Sequence, residues 1–117
     1  MAISKAKKEA LVDSLMVTLA KTNRLEIVLR FQGEGKEATK VQARGKELSK
    51  QIDKLLAKIM LDWLGQAAAL ETSIKATNTK LQGAIRDIKK KIQVAQRVIK
   101  AIGHIDDVID FGKRLLN

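Results

Sequence analysis

Few side chains in this sequence are of the types that catalyse reactions or bind metal ions. His104 is the one histidine in the chain and cysteine is absent, so no His/Cys cluster can form for a transition metal. Asp107 follows His104 by three residues, a spacing that places both on one face of a helix. A histidine at a helix boundary is the simpler interpretation. We therefore predict no catalytic residue, metal site or cofactor.

Other candidate motifs lack the spacing that their chemistry requires. Asp106, Asp107 and Asp110 lack the loop spacing and the oxygen-rich neighbours of a calcium site. Gly33-Glu34-Gly35-Lys36 is shorter than a phosphate-binding loop, has no serine or threonine, and carries an acid that would repel phosphate. None of the serines has a histidine close by in the sequence to activate it. We expect neither a small-molecule substrate nor enzyme activity.

Basic side chains are the feature most suggestive of function, because the chain carries a net charge of +10. On the predicted second helix, lysines recur every four residues, and on the predicted third helix basic residues lie within about 100° of one another. The candidate contacts for an anionic partner are Lys46, Lys50, Lys54 and Lys58 in the first stripe and Arg86, Lys89, Lys90, Arg97 and Lys100 in the second.

Two kinds of anionic partner fit such stripes, namely the phosphate backbone of a nucleic acid and the head groups of an anionic membrane surface. The alternative is that the stripes are solvated helix faces, which Glu47 and Asp53 favour for the second helix. No motif for sequence-specific readout is present. We expect the aromatic residues, Phe31, Trp63 and Phe111, to lie on apolar faces and to offer no platform for stacking bases.

The composition favours helices to hold these side chains. Hydrophobic residues make up 45% of the chain and proline is absent, so nothing in the sequence forbids helix at any point. Apolar residues recur at alternating steps of three and four, as on the buried faces of bundled helices. We predict a single all-α domain over residues 1–117. It is an antiparallel helical bundle of three long helices plus a short C-terminal helix, with helices at about 4–31, 36–64, 67–102 and 104–116.

Glycines mark the predicted helix ends. Ser4 caps the first helix, Gly33-Glu34-Gly35 ends it, and Gly65 is a weaker break after the second. Gly103 is a better break than Gly65, because a straight continuation of the third helix would place Asp106 in the middle of its apolar seam. A short helix then restarts, with Asp106 in its first turn, where negative charge suits the helix dipole.

Several residues within the predicted helices are exceptions to the pattern. Gly45 falls in the seam of the second helix, where it lets a facing group approach closely. The alternation of residues 25–31 also fits a strand, but no partner strand follows, so we predict helix. Thr77 lies near the centre of the third seam and Asn78 at its edge, which favours a role in fixing register. Lys91, at the other edge, is expected to extend its ammonium group to water.

The predicted third helix would extend about two turns beyond its neighbours, leaving apolar surface for another molecule. We therefore expect a non-enzymatic interaction or assembly module that forms a homo-oligomer or binds a helical protein. Non-specific binding of nucleic acid and peripheral binding to an anionic membrane are the alternatives. Glu9 and Asp13 interrupt what otherwise resembles a signal peptide, and we expect a cytoplasmic location.

Overall fold

All regular structure in the described part of the chain is helical. The computed structural model describes residues 3–63 and 67–116, which form α1 (Lys5–Phe31), α2 (Gly35–Ala57), α3 (Ala67–Lys89) and α4 (Val94–Leu116). The predicted all-α bundle is confirmed, and residues 25–31 are helical rather than a strand. The prediction of three long helices and a short one is wrong, because α4 has 23 residues, as many as α2 and α3.

The four helices surround one core, and each packs against two others. Helix α1 packs on α2 and α3, and α4 packs on the same two helices. Within residues 3–63 and 67–116, α1 does not contact α4 and α2 does not contact α3. These two pairs are therefore diagonal across the bundle.

The helix directions follow from side chains that meet between neighbours. The hairpin pairs α1/α2 and α3/α4 run antiparallel, whereas α1 and α3 run parallel, as do α2 and α4, which corrects the expected antiparallel arrangement. The pairs that fix the parallel directions are Lys7–Glu71 and Lys21–Gln82 between α1 and α3, and Arg44–Asp106 and Gln51–Gly112 between α2 and α4. One end of the bundle, here called the hairpin end, thus carries the C-termini of α1 and α3 with the connections 32–34 and 90–93.

The apolar seams predicted from the sequence face the core. Removing such side chains from water is the main favourable term in folding. Gly45 is buried as predicted, and a Cβ on it would lie 3.3 Å from Oδ1 of Asn23 in α1. The absence of a side chain there lets α1 and α2 approach closely. Fully buried core residues include Leu15, Leu25, Leu29, Leu48, Leu55, Leu70, Leu81, Ile105 and Leu115.

Polar side chains join α3 to both of its neighbours. The Thr77 hydroxyl donates to the His104 carbonyl of α4 at 3.2 Å, and the Thr18 hydroxyl of α1 donates to Oδ1 of Asn78 at 2.7 Å. Thr18 and Thr77 are both fully buried, and a buried hydroxyl left unpaired would cost free energy. A register role for the Thr77–Asn78 step stays a prediction, and these are the contacts through which it would act.

The third helix ends at Lys89, not at about residue 102 as predicted. The backbone N–H of Ile92 donates to the Asp87 carbonyl and that of Lys91 donates to the Ile88 carbonyl, both at 2.9 Å. This is the Schellman motif, whose capping residue adopts a left-handed conformation. Lys91 fills that position with φ 59°, and Gln93 follows with φ 46°.

Two predicted features therefore change their place in the fold. Gly103, the predicted break, lies inside α4. Lys91 lies in an exposed connection rather than at the edge of a helical seam. The same Schellman motif ends α1 at the predicted place, with Gly33 at φ 76° and the Glu34 N–H donating to the Leu29 carbonyl at 2.9 Å.

The second helix ends at Ala57, about two turns before the predicted residue 64. Beyond it the chain folds back, and Nε1 of the buried Trp63 donates to the Lys58 carbonyl at 2.8 Å. Side chains thus satisfy carbonyls at the end of α2 that a longer helix would pair with its own backbone. The predicted break at Gly65 lies outside the described residues.

Candidate anionic-partner surface

The predicted basic stripe of the third helix is divided between two helices. Arg86 and Lys89 belong to α3, Lys90 follows its end, and Arg97 and Lys100 belong to α4. The prediction of one helical stripe is therefore wrong, because the chain reverses at residues 90–93. The antiparallel packing of α3 and α4 nevertheless keeps the five residues in one region of the surface.

A single carboxylate joins the two halves of this region. Nε of Arg97 lies 3.2 Å from Oδ2 of Asp87, and Nε of Arg86 lies 3.5 Å from Oδ1 of the same side chain. The Asp87 side chain is 18% exposed, so solvent screens these pairs only in part. Asp87 thereby holds Arg97 of α4 against α3 and offsets part of the positive charge around it.

A groove between α3 and α4 is lined by basic side chains from both helices. Its lining includes Lys80, Arg86, Arg97, Lys100 and the half-buried His104. Lys80 and His104 were not among the predicted contacts, because their position depends on where the chain reverses. Once the reversal is placed at residues 90–93, antiparallel pairing brings them opposite one another.

A second groove, between α1 and α3, has a basic rim and a largely apolar floor. Lys21, Arg24 and Lys89 lie along it, with Val17 and Ile85 among its apolar lining. Nζ of Lys21 donates to Oε1 of Gln82 at 2.8 Å, which fixes Lys21 on the side of α1 that faces α3. The sequence alone does not point to Lys21 and Arg24, since only the parallel packing of α1 and α3 brings them beside Lys89.

Together these side chains form one surface around the C-terminal half of α3, here called the basic surface. Residues 72–105 contain eight lysine and arginine residues and one acid, Asp87, and so carry seven of the ten net positive charges. Cations that line concave surfaces raise the local concentration of anions. The basic surface consists of Lys21, Arg24, Lys80, Arg86, Lys89, Lys90, Arg97 and Lys100.

The predicted stripe on the second helix is not part of this surface. All four of its lysines are exposed, but α2 is diagonal to α3 across the bundle. Lys46 borders a groove between α1 and α2 that also contains the carboxylate of Glu26. The structure therefore brings five of the nine predicted contacts together and places Lys46, Lys50, Lys54 and Lys58 elsewhere.

One aromatic side chain is exposed beside the basic surface. Phe31 is 84% exposed, whereas Trp63 is buried and Phe111 is half-buried beneath the Arg114 guanidinium. The prediction that all aromatic residues lie on apolar faces is therefore wrong for Phe31. It occupies the last position of α1, at the hairpin end, where the helix stops before a neighbour can cover it.

The histidine and acidic residues form no comparable site. Nε of Arg44 lies 2.7 Å from Oδ1 of Asp106, so Asp106 links α4 to α2 from within a helix and does not occupy a first turn as predicted. Among residues 3–63 and 67–116, no group of three or more histidine or carboxylate side chains is placed to hold a metal ion. No helix in the same ranges combines the length and apolar character needed to cross a membrane.

Comparison of the chain with known protein families, with curated proteins and with solved structures finds no match.

Proposed function

We propose that this protein is a non-enzymatic helical-bundle module that binds nucleic acid through the basic surface, without reading base sequence. The observation that carries the proposal is the clustering on one surface of eight cationic side chains, from α1, α3, α4 and the α3–α4 connection, with a single carboxylate among them. That carboxylate, Asp87, is already engaged by Arg97. Lysine and arginine contacts to phosphates release counterions and bind all sequences alike. Such a role suits the cytoplasmic location expected from the sequence.

The distribution of the cations favours a polyanion over a lipid surface. They occupy two grooves on either side of α3 as well as the crest between them. A membrane surface would contact one side of the bundle, whereas a flexible phosphodiester chain can follow grooves. Peripheral membrane proteins typically present an amphipathic face with a continuous apolar side. The apolar floor is confined to the α1/α3 groove, because the α3/α4 groove is lined largely by polar groups.

The proposal is tested by reversing charge at three lysines of the basic surface, Lys80, Lys90 and Lys100, each to glutamate. These positions avoid the Asp87 pair, so folding should be preserved. Binding to oligonucleotides of unrelated sequence should weaken uniformly. The negative slope of log affinity against log salt should become less steep by about 2 to 3, roughly one for each lost phosphate contact.

A matched control reverses the charge of three lysines on α2, the helix diagonal to α3. The substitutions Lys46→Glu, Lys50→Glu and Lys54→Glu change the net charge by the same amount at a distance from the basic surface. We expect this variant to retain most of the affinity. Equal loss in both variants would mean that net charge alone drives binding. Binding to anionic vesicles without binding to nucleic acid would replace this proposal with the membrane alternative.

Self-association is the second candidate, and a different observation favours it. Self-association was expected because the predicted third helix would extend beyond its neighbours. That extension does not exist, because α3 and α4 form a hairpin of two helices of equal length. However, Met16 and Ile27 of α1 are each 44% exposed, and eleven residues of separation place them on one face of the helix. Light scattering tests this candidate: a constant monomer mass at high concentration rejects it, and Met16→Gln with Ile27→Gln should dissociate any oligomer.

A further inference from the structure

The α1/α3 groove is the less polar of the two paths across the basic surface. The bases of a duplex are paired and stacked on one another, whereas a single strand can follow such a groove and turn its bases towards apolar side chains. Lys21, Arg24 and Lys89 along the rim suit its phosphates, and Val17 and Ile85 give the groove an apolar floor.

Phe31 extends the line of this groove towards the hairpin end. It follows Arg24 by seven residues, so it projects from nearly the same side of α1, about 10 Å further along the axis. Its ring is 84% exposed, which leaves a face open to a ligand. The neighbouring Arg30 is paired with Glu26 at 2.9 Å, so that guanidinium is engaged with α1 itself.

Cations along a groove together with an exposed aromatic ring are the two components of single-strand recognition. Phosphates follow the cations, while the ring stacks on a base of any identity. Phe31 is the aromatic residue most exposed in the described part of the chain. A stacking platform on α1 also explains how a surface without sequence-specific contacts could distinguish a single strand from a duplex.

We infer that the nucleic acid bound by this protein is single-stranded, that its backbone follows the α1/α3 groove, and that Phe31 stacks on one of its bases. The inference rests on the proposed function, because it assigns a substrate class to the same basic surface. It adds one residue, Phe31, whose contribution does not depend on charge. The proposed function and this inference can therefore fail separately.

The test compares Phe31→Ala with the unsubstituted protein on three probes of equal length. These are an oligothymidine of about 16 nucleotides, the upper end of common site sizes, the corresponding abasic phosphodiester, and the corresponding duplex. We expect Phe31→Ala to weaken binding of oligothymidine by roughly 5- to 150-fold, the usual range for one lost stacking contact. Binding of the abasic strand and of the duplex should not change, since neither offers an unstacked base.

Two further variants make the result specific. Met60→Ala truncates a side chain that is 76% exposed at the opposite end of the bundle, and it should leave binding of every probe unchanged. Phe31→Trp should keep the affinity and show fluorescence quenching when oligothymidine binds, because Trp63 is buried and gives a constant background.

Equal weakening of the abasic strand and oligothymidine, or no weakening of either, overturns the inference. Tighter binding of the duplex than of oligothymidine by the unsubstituted protein overturns it as well. In each case the charge-reversal variants report separately whether the basic surface binds nucleic acid at all.

Discussion

The ammonium group of Lys8 lies 5.6 Å from the centre of the Trp63 ring and donates hydrogen bonds to the backbone carbonyls of Ile59 and Leu61. Lys8 is only 5% exposed and belongs to the second turn of α1. One buried cation thus joins the start of α1 to the segment that follows α2. Carbonyls that no helix satisfies are thereby paired, and the charge has two acceptors and an aromatic face.

Replacing Lys8 with methionine should destabilise the bundle. Methionine matches the length of the side chain but leaves both carbonyls without their donor, so we expect the free energy of unfolding to fall by about 2 to 3 kcal/mol. Urea denaturation measures the change. The control is Lys5→Met, which removes an exposed lysine whose ion pair with Glu9 spans 4.0 Å and should cost less than about 1 kcal/mol. Equal losses in the two variants would show that the contacts of Lys8 contribute nothing particular.

The turn between α3 and α4 carries backbone strain at Lys91. Its φ of 59° lies in the left-handed region, which glycine adopts without steric cost and other residues adopt at about 1–2 kcal/mol. We expect Lys91→Gly to be more stable than Lys91→Ala by about 1 kcal/mol, both having lost the same charge. Thermal denaturation measures the difference. A more stable alanine variant would be incompatible with the Schellman motif at this position.

The glycines of α4 should respond in opposite directions to substitution by alanine. Gly103 is exposed, and no atom lies within 4 Å of the position that its Cβ would occupy. Gly103→Ala should therefore stabilise the helix by about 1 kcal/mol. Gly112 is buried, and a Cβ there would lie 3.2 Å from Cγ of Gln51. Because Gln51 is itself buried and has little room to move aside, Gly112→Ala should destabilise the protein. Chemical denaturation of both variants tests the pair, and a loss of stability in Gly103→Ala would restore Gly103 as a helix end.

These glycines also show how far the sequence predicts the fold. Ser4 accepts a hydrogen bond from the Lys7 N–H at 3.1 Å, and Gly33 ends α1, because both use the residue types that such positions favour. The α3–α4 turn was missed because Lys91 and Gln93 adopt left-handed conformations without being glycine or asparagine. Local preference is a weak guide where tertiary packing determines the chain reversal.

The end of α2 illustrates the same limit. The pattern of apolar residues continues beyond Ala57, but the helix stops there, and Lys8, about fifty residues earlier, supplies hydrogen bonds to the following carbonyls. No local signal reports a contact at that separation. The candidate site was only partly predictable, for the same reason. The residues from Arg86 to Lys100 are close in sequence, but Lys21 and Arg24 join them only through the packing of α1 on α3.

We expect the α1/α3 contact near the other end of the bundle to be sensitive to acid. A hydrogen bond and an ion pair from Lys7 lower the pKa of the Glu71 carboxyl below its usual value of 4.5, and Lys75 at 3.6 Å lowers the pKa further. Because the folded state holds this carboxyl ionised more strongly than the unfolded state does, the stabilisation is complete above pH 4.5 and is lost as the pH falls through the lowered value.

Replacing Glu71 with glutamine should remove this part of the acid dependence. The free energy of unfolding, measured by urea denaturation between about pH 6 and pH 3, should fall less steeply below 4.5 in the variant than in the unsubstituted protein. Glu9→Gln is the matched control, since it removes a carboxylate from the same end of the bundle and leaves the Lys7–Glu71 pair intact. High salt should reduce the difference between the two profiles, because the Glu71 side chain is 37% exposed and its ion pairs are screened. A Glu71→Gln profile that coincides with that of the unsubstituted protein would show that Lys7 does not stabilise the ionised carboxylate.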